Sequence, residues 1–162
     1  MALIKAHNRW VIPLTYIVAL LLCVFPLVYE GRWLRPEFLA LVVIFWVVRM
    51  PQQVSMTLIL AMACLQDLLE GGHLGQHGLA LVAVAYLALL LEARIKHYVM
   101  WQQALVVLFM VMAHQLVDNW VHSFQGGAAA NLEFLMPAFT SAMIWPLVQM
   151  GMERLRLRLR VS

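Results

Sequence analysis

Apolar segments follow one another along almost the whole chain, and this feature limits the possible folds most strongly. Hydrophobic residues make up 64% of the 162 residues and charged residues only 12%, whereas ordinary soluble domains contain about 45–50% and about 25%. A single core surrounded by water cannot bury so many apolar side chains. The mean hydropathy of +0.85 indicates lipid as the surrounding solvent. The sequence therefore predicts an integral membrane protein.

The lengths of the apolar segments predict how often the chain crosses the membrane. A transmembrane helix needs about 20 mostly apolar residues. The second segment is short, and it spans only if the flanking Arg35 and Arg49 extend it by snorkelling. The first is too long for a signal peptide and no small-residue cleavage site follows it, so we expect an uncleaved span. We predict an all-α, polytopic, single-domain fold with short loops and six transmembrane helices over residues 10–29, 34–49, 54–69, 74–91, 101–123 and 132–152.

The basic residues predict which side of the membrane each loop faces. If the N-terminus is inside, all but two of the 11 Lys and Arg residues, Arg32 and Arg35, fall in cytoplasmic segments. Short cytoplasmic loops of membrane proteins carry such an excess. A five-span alternative would place the terminal arginines outside, so we predict six spans with both termini cytoplasmic. Since the basic residues are scattered between apolar segments and form no single basic face, we expect no nucleic-acid partner.

Asp67 is one of two acidic residues predicted to lie inside a span. An ionisable group in lipid is costly, by about 2.5–3.5 kcal/mol on insertion scales, so it marks a paired or functional position. Its carboxylate has two predicted kinds of partner: Arg32 or Arg35 in the neighbouring outer loop, or the backbone N–H groups at the N-terminus of the fourth helix. The alternative is an interfacial acid that reaches water.

A glycine-rich turn follows Asp67 in the sequence. Gly71 and Gly75 flank a segment in which the chain must reverse direction within a few residues. Their spacing matches the helix-packing motif GxxxG in letters only, because that motif belongs inside an apolar helix. His73 and His77 are expected to be solvated histidines of this outer loop.

The second acidic residue, Asp118, belongs to a polar stripe with His114 and His122. Positions i, i+4 and i+8 share one helix face. Three side chains on this stripe span about 12 Å along the helix, whereas zinc holds its ligands at about 2.0–2.2 Å. One helix therefore cannot supply a complete metal site, and we expect no metal or other cofactor. The stripe predicts a polar seam that faces protein or, alternatively, lines an aqueous cavity.

Alternating arginines and leucines form the C-terminal segment. They fix the orientation of the last span and contact anionic lipids or, alternatively, form a docking tail for a cytoplasmic partner. The basic residues are Arg154, Arg156, Arg158 and Arg160. Because no nucleophile–base pair, phosphate-binding loop or catalytic pair of carboxylates is evident in the sequence, we do not expect an enzyme.

Several short segments resemble those of a known family in their order and spacing. They include Arg35-Pro36-Glu37-Phe38, Asp67-Leu68 with Gly71 and Leu74-Gly75, and the stretch Trp-Gln-Gln-Ala-Leu-Val-Val at 101–107. Over nearly its whole length the chain resembles the family of the rod shape-determining protein MreD, and the 101–107 stretch resembles its gammaproteobacterial members.

This resemblance implies a non-enzymatic component of the bacterial rod complex in the inner membrane. It implies that the chain couples the actin-like MreB and the periplasmic scaffold MreC to lateral-wall peptidoglycan synthesis by RodA and its partner class B transpeptidase. The candidates for partner binding or structure are Arg35, Pro36, Asp67, Gly71, Gly75, His114, Asp118 and His122.

A second class of function follows from a more distant likeness. The family is similar in fold to the six-helix substrate-binding subunits of energy-coupling-factor transporters. In that case the polar residues around Asp67, His114 and Asp118 would line a cavity for a small ligand.

Overall fold

A computed structural model describes residues 8–24, 34–71, 75–124 and 132–161 of the chain. Within these ranges the backbone is helical and contains no β-strand. The predicted all-α fold with six helices is therefore confirmed. The α-helices are α1 (Val11–Val24), α2 (Phe38–Arg49), α3 (Met56–Glu70), α4 (Gln76–Ile95), α5 (Met100–Phe124) and α6 (Met136–Arg158), and short 3-10 helices occupy Pro51–Gln53 and Leu132–Leu135.

Some helix ends differ from the predicted ones. Helix α4 continues to Ile95 rather than to residue 91, and α6 continues to Arg158 rather than to residue 152. Both extensions contain charged residues, which a hydropathy criterion assigns to loops although they are good helix formers. Arg32, within 25–33, and His73, within 72–74, lie outside the described residues.

Among the described residues, two helices are long and apolar enough to cross a bilayer. These are α4, with 20 residues and a mean hydropathy of 1.9, and α5, with 25 residues and a mean hydropathy of 1.6. Helices α1 and α2 are apolar but shorter than a full span.

Helix α2 forms the centre of the bundle. Every residue from Leu39 to Val48 is buried, and α2 packs against α1, α4 and α6. A helix that is apolar on all sides needs such an enclosed position. Trp46 also donates its indole N–H to Thr15 Oγ1 of α1 over 2.8 Å, which satisfies a polar group in this core.

The charged residues sort to the two ends of the bundle. We call the end that carries Glu37, Asp67, Glu70 and Asp118 the acidic end. The opposite end, called the basic end, has the ion pairs Arg49–Glu153, Arg156–Glu153 and Lys96–Glu92. Asn8, just before α1, donates to the backbone oxygen of Leu159, just after α6, over 2.7 Å. The N-terminal and C-terminal parts of the described chain therefore meet at the basic end.

Candidate functional site: a polar cluster at the acidic end

The turn between α3 and α4 begins and ends with glycines in the left-handed backbone region. Gly71 has a φ of 69° and closes α3 by donating its N–H to the backbone oxygen of Asp67. Gly75 has a φ of 94° and precedes α4. A side chain at either position would meet no atom within 4 Å. The glycines are therefore explained by backbone conformation and not by close packing of helices.

Asp67 is completely buried in the last turn of α3. Its Oδ2 accepts the Gly75 N–H over 2.7 Å, and its Oδ1 accepts the His77 N–H over 3.1 Å. These backbone groups lie at the start of α4, where N–H groups have no partner within the helix. The sequence offered two kinds of partner for this carboxylate, and in the structure it accepts hydrogen bonds from backbone N–H groups at the start of the fourth helix. Arg35 instead donates to the backbone oxygen of Leu22 over 3.2 Å.

His77 corrects one of the sequence-based expectations. It is not a solvated loop residue, because it lies in the first turn of α4 and its side chain is only 14% exposed. Its Nδ1 is 2.8 Å from Asp67 Oδ1, and its Nε2 is 3.7 Å from Glu70 Oε2 and 3.8 Å from Asp118 Oδ1. His77 therefore lies among three carboxylates.

The polar stripe of α5 is divided between the inside and the outside of the bundle. His114 is 2% exposed and its ring centroid lies 6.3 Å from that of His77. Asp118, one turn later in α5, also lies near His77, with its Oδ1 3.8 Å from His77 Nε2. His122 is exposed, so the expectation of one seam of three residues is wrong at this position. A helix has 3.6 residues per turn, and over two turns the stripe rotates away from α4.

A second set of hydrogen bonds joins α2 to α5 and α6 at the same end. Gln115 donates its side-chain N–H to Glu37 Oε1 over 2.8 Å. The backbone N–H of Glu37 donates to Ser141 Oγ over 2.9 Å. Pro36 is buried beside this set, and its oxygen accepts the N–H of Phe38. The acidic end thus brings together polar residues from α3, α4 and α5 and from the start of α2.

The C-terminal arginines occupy a helix and not a separate tail. Arg154, Arg156 and Arg158 belong to α6, and Arg160 follows it. Arg156 pairs with Glu153 over 2.7 Å, whereas Arg154, Arg158 and Arg160 are exposed. The exposed guanidinium groups are free to contact solvent or headgroups.

His77 and Glu37 were missed as site residues in the sequence. The sequence signal for His77 was its position just after the two glycines. A short glycine loop brings the end of one helix close to the start of the next. For Glu37 it was an acid directly before a wholly apolar helix. In the described part of the chain, no group of three or more His, Cys, Asp or Glu side chains has the geometry of a metal site.

Comparisons with known proteins assign the chain to a family. The family model for the rod shape-determining protein MreD matches residues 4–154. A curated protein named rod shape-determining protein MreD, from Haemophilus influenzae, is 26% identical over 146 residues, which cover 90% of each chain. No solved structure matches the chain significantly. Because the family model covers nearly all of the sequence, the chain belongs to the family of the rod shape-determining protein MreD.

Proposed function

We propose that this chain is a non-enzymatic inner-membrane component of the rod complex, linking MreB and MreC to lateral-wall peptidoglycan synthesis by RodA and its partner class B transpeptidase. Family membership gives it a role in determining rod shape. The match over residues 4–154 carries the proposal, because it covers α1 to α5 completely and α6 as far as residue 154.

The proposal includes six membrane spans with both termini in the cytoplasm. Support comes from the excess of basic residues in the segments assigned to the inside and from the contact of Asn8 with Leu159. In this orientation the acidic end faces the periplasm. Single cysteines placed at 72 and at 160, in a chain without Cys23 and Cys64, test it: an impermeant outside reagent should label position 72 only. Labelling at position 160 would contradict the orientation.

The two ends of the bundle suit different partners in this orientation. At the basic end, exposed Arg154, Arg158 and Arg160 lie at the height of anionic headgroups, where each basic residue contributes about 1 kcal/mol of attraction. MreB would approach the chain from this side. The acidic end, with its cluster around Asp67 and His77, is the proposed contact for MreC.

Depletion of the chain in its rod-shaped host tests the role in cell shape. We expect rods to become spheres and a plasmid copy to restore them. Rods that remain unchanged in a host without a second copy would contradict the proposed function.

In-membrane crosslinking followed by purification tests the partners. Recovery of MreC and the wall synthases is the expected result. The polar cluster of Asp67, His114 and Asp118 also suits the alternative of a ligand-binding transporter subunit. Copurification of an ATPase module together with a retained small molecule would support that alternative instead.

A further inference from the structure

The two ends of the bundle differ in how many basic side chains pair with their acidic side chains. At the basic end, Glu92 pairs with Lys96, and Glu153 pairs with Arg49 and Arg156. At the acidic end, four carboxylates are present, on Glu37, Asp67, Glu70 and Asp118. Within the described ranges, Asp67, Glu70 and Asp118 have ion-pair contacts with His77 alone, which can carry at most one positive charge, and Glu37 has no ion-pair contact.

Several hydrogen-bond acceptors converge at His77. Asp67 already accepts two backbone N–H groups, and a carboxylate has no hydrogen to donate, so the Nδ1 of His77 must be the donor in their contact. When the ring is neutral, it then presents a lone pair at Nε2. Glu70 Oε2 and Asp118 Oδ1 lie 3.7 and 3.8 Å from this nitrogen, too far for hydrogen bonds. With His77 neutral, Nε2 and these two carboxylate oxygens are three acceptors with no hydrogen to share, and protonation of Nε2 would supply one hydrogen for both carboxylates.

His114 gives independent evidence for a missing hydrogen-bond partner. The residue is 2% exposed, and its Nδ1 is buried with no hydrogen-bond partner among the described residues. Its ring lies against that of His77. Asp118 Oδ1, one helical turn away, is a second buried atom without a hydrogen bond there. Buried polar atoms are nearly always bonded, so these two exceptions indicate a group that the described residues do not supply.

The exposure of the cluster indicates the direction from which a ligand would enter. Asp67 is completely buried, the His77 side chain is 14% exposed, and Asp118 and Glu70 are 20% and 28% exposed. Asp67 thus lies at the buried side of the cluster, and Glu70 and Asp118 form its exposed edge, which we call the rim.

We infer that this cluster binds the guanidinium group of an arginine from the outer partner protein, which would enter over Glu70 and Asp118. The inference rests on the proposed function, in which the acidic end meets MreC. A guanidinium carries five N–H donors in a planar fork, and the cluster offers acceptors on Glu70, Asp118 and His77. The Nδ1 of His114 is a further acceptor in the tautomer that carries its hydrogen on Nε2. A lysine ammonium has only three donors and serves so many dispersed acceptors less well.

Copurification of MreC with purified variants tests the inference. Glu70→Gln and Asp118→Asn keep the side-chain shapes and remove the charges at the rim. We expect each to lower the recovered MreC by about tenfold or more, as for other truncated charge pairs at interfaces. Glu92→Gln, which removes a carboxylate at the basic end, is the matched control and should leave recovery unchanged.

The stability of the isolated chain separates binding from a structural role. Because Glu70 and Asp118 repel each other when no cation is bound, Glu70→Gln and Asp118→Asn should leave the melting temperature unchanged or raise it. If both variants and Arg32→Gln lower it together, the bound cation is Arg32 of this chain and the inference is wrong.

Substitutions in the partner provide a test that leaves this chain intact. Replacing each membrane-proximal outer arginine of MreC with glutamine should reveal one variant with the same loss of recovery. Combining that variant with Glu70→Gln should cause little additional loss. If unsubstituted MreC is recovered but no rim or arginine substitution affects its recovery, the inference fails and the proposed function stands. If unsubstituted MreC is not recovered at all, the proposed contact itself is wrong.

Discussion

Asp67 is the residue on which the turn between α3 and α4 depends most. Its two carboxylate oxygens receive two backbone N–H groups and the imidazole of His77, and no part of the side chain is exposed. Hydrogen bonds to a charged group contribute about 1.5–3 kcal/mol each. The residue therefore stabilises the helix pair and also sets the position of His77.

Asp67→Asn should destabilise the protein, although the two side chains have the same shape. An amide has one NH₂ group, which would face either the Gly75 N–H or the two donors of His77. We expect the free energy of unfolding to fall by about 2–3 kcal/mol, measured in detergent micelles. Glu92→Gln removes an exposed i,i+4 pair with Lys96 and should cost only about 0.5 kcal/mol. Equal losses in both variants would show that Asp67 contributes no more than a surface acid.

Gly71→Ala tests the backbone argument directly. Nothing lies within 4 Å of the added methyl group, so the expected cost of about 1–2 kcal/mol comes from the left-handed conformation alone. Gly151→Ala is the control, and its expected effect on stability has the opposite sign. Gly151 lies inside α6 with open space around it, and alanine there should stabilise the helix by about 0.5–1 kcal/mol. Melting curves of the two variants should shift in opposite directions, and parallel shifts would contradict the argument.

At the scale of helices, the burial of α2 explains how so short a helix fits the bundle. Its 12 residues rise about 18 Å, against a hydrocarbon core of about 30 Å. Neighbouring helices cover it on all sides, so its ends meet protein. Glu37 meets Gln115 and Ser141 at one end, and Arg49 meets Glu153 at the other. Protein partners, as well as snorkelling, therefore accommodate the charges that flank α2.

The ion pairs of Glu153 join α2 to the end of α6. Both partners, Arg49 and Arg156, are about a quarter exposed, so Glu153→Gln should lower the free energy of unfolding by no more than about 1 kcal/mol. Salt screens such charges over about 10 Å at 0.1 M. The difference between the two proteins in melting temperature should therefore shrink as sodium chloride is raised. A difference that does not depend on salt would indicate a packing role for Glu153.

The sequence predicts helices better than it predicts contacts between them. Six apolar segments and a glycine turn are local signals, and the helices follow from them. The charged residues of α6 extend it because Glu153 and Arg156 pair at i,i+3, which hydropathy does not register. The contact between His77 and Asp67 depends on how two helices meet, and the exposure of His122 depends on the rotation of α5 against α4. Neither could be read from spacing along one helix.

At the scale of the whole molecule, charged residues and exposed apolar residues occupy different parts of the surface. Charges sort to the two ends, whereas the sides carry large apolar residues. Tyr86, Leu90 and Phe109 are 59–66% exposed. In water such a surface would favour aggregation, but in a bilayer it faces lipid tails at little cost. The bundle is therefore built for a solvent that is apolar around its middle and polar at its ends.

An arginine scan over this surface tests that arrangement. Phe109, in α5 away from both helix ends, and Leu157, at the basic end of α6, are 66% and 65% exposed. Arginine at mid-membrane depth costs about 2.5–3.5 kcal/mol on insertion scales, whereas near a helix end it reaches the headgroups by snorkelling. Phe109→Arg should therefore strongly reduce the protein that remains in membranes after carbonate extraction, and Leu157→Arg should not. If a water-exposed bundle were the native form, both variants would accumulate equally, because exposed positions in water accept arginine at either place.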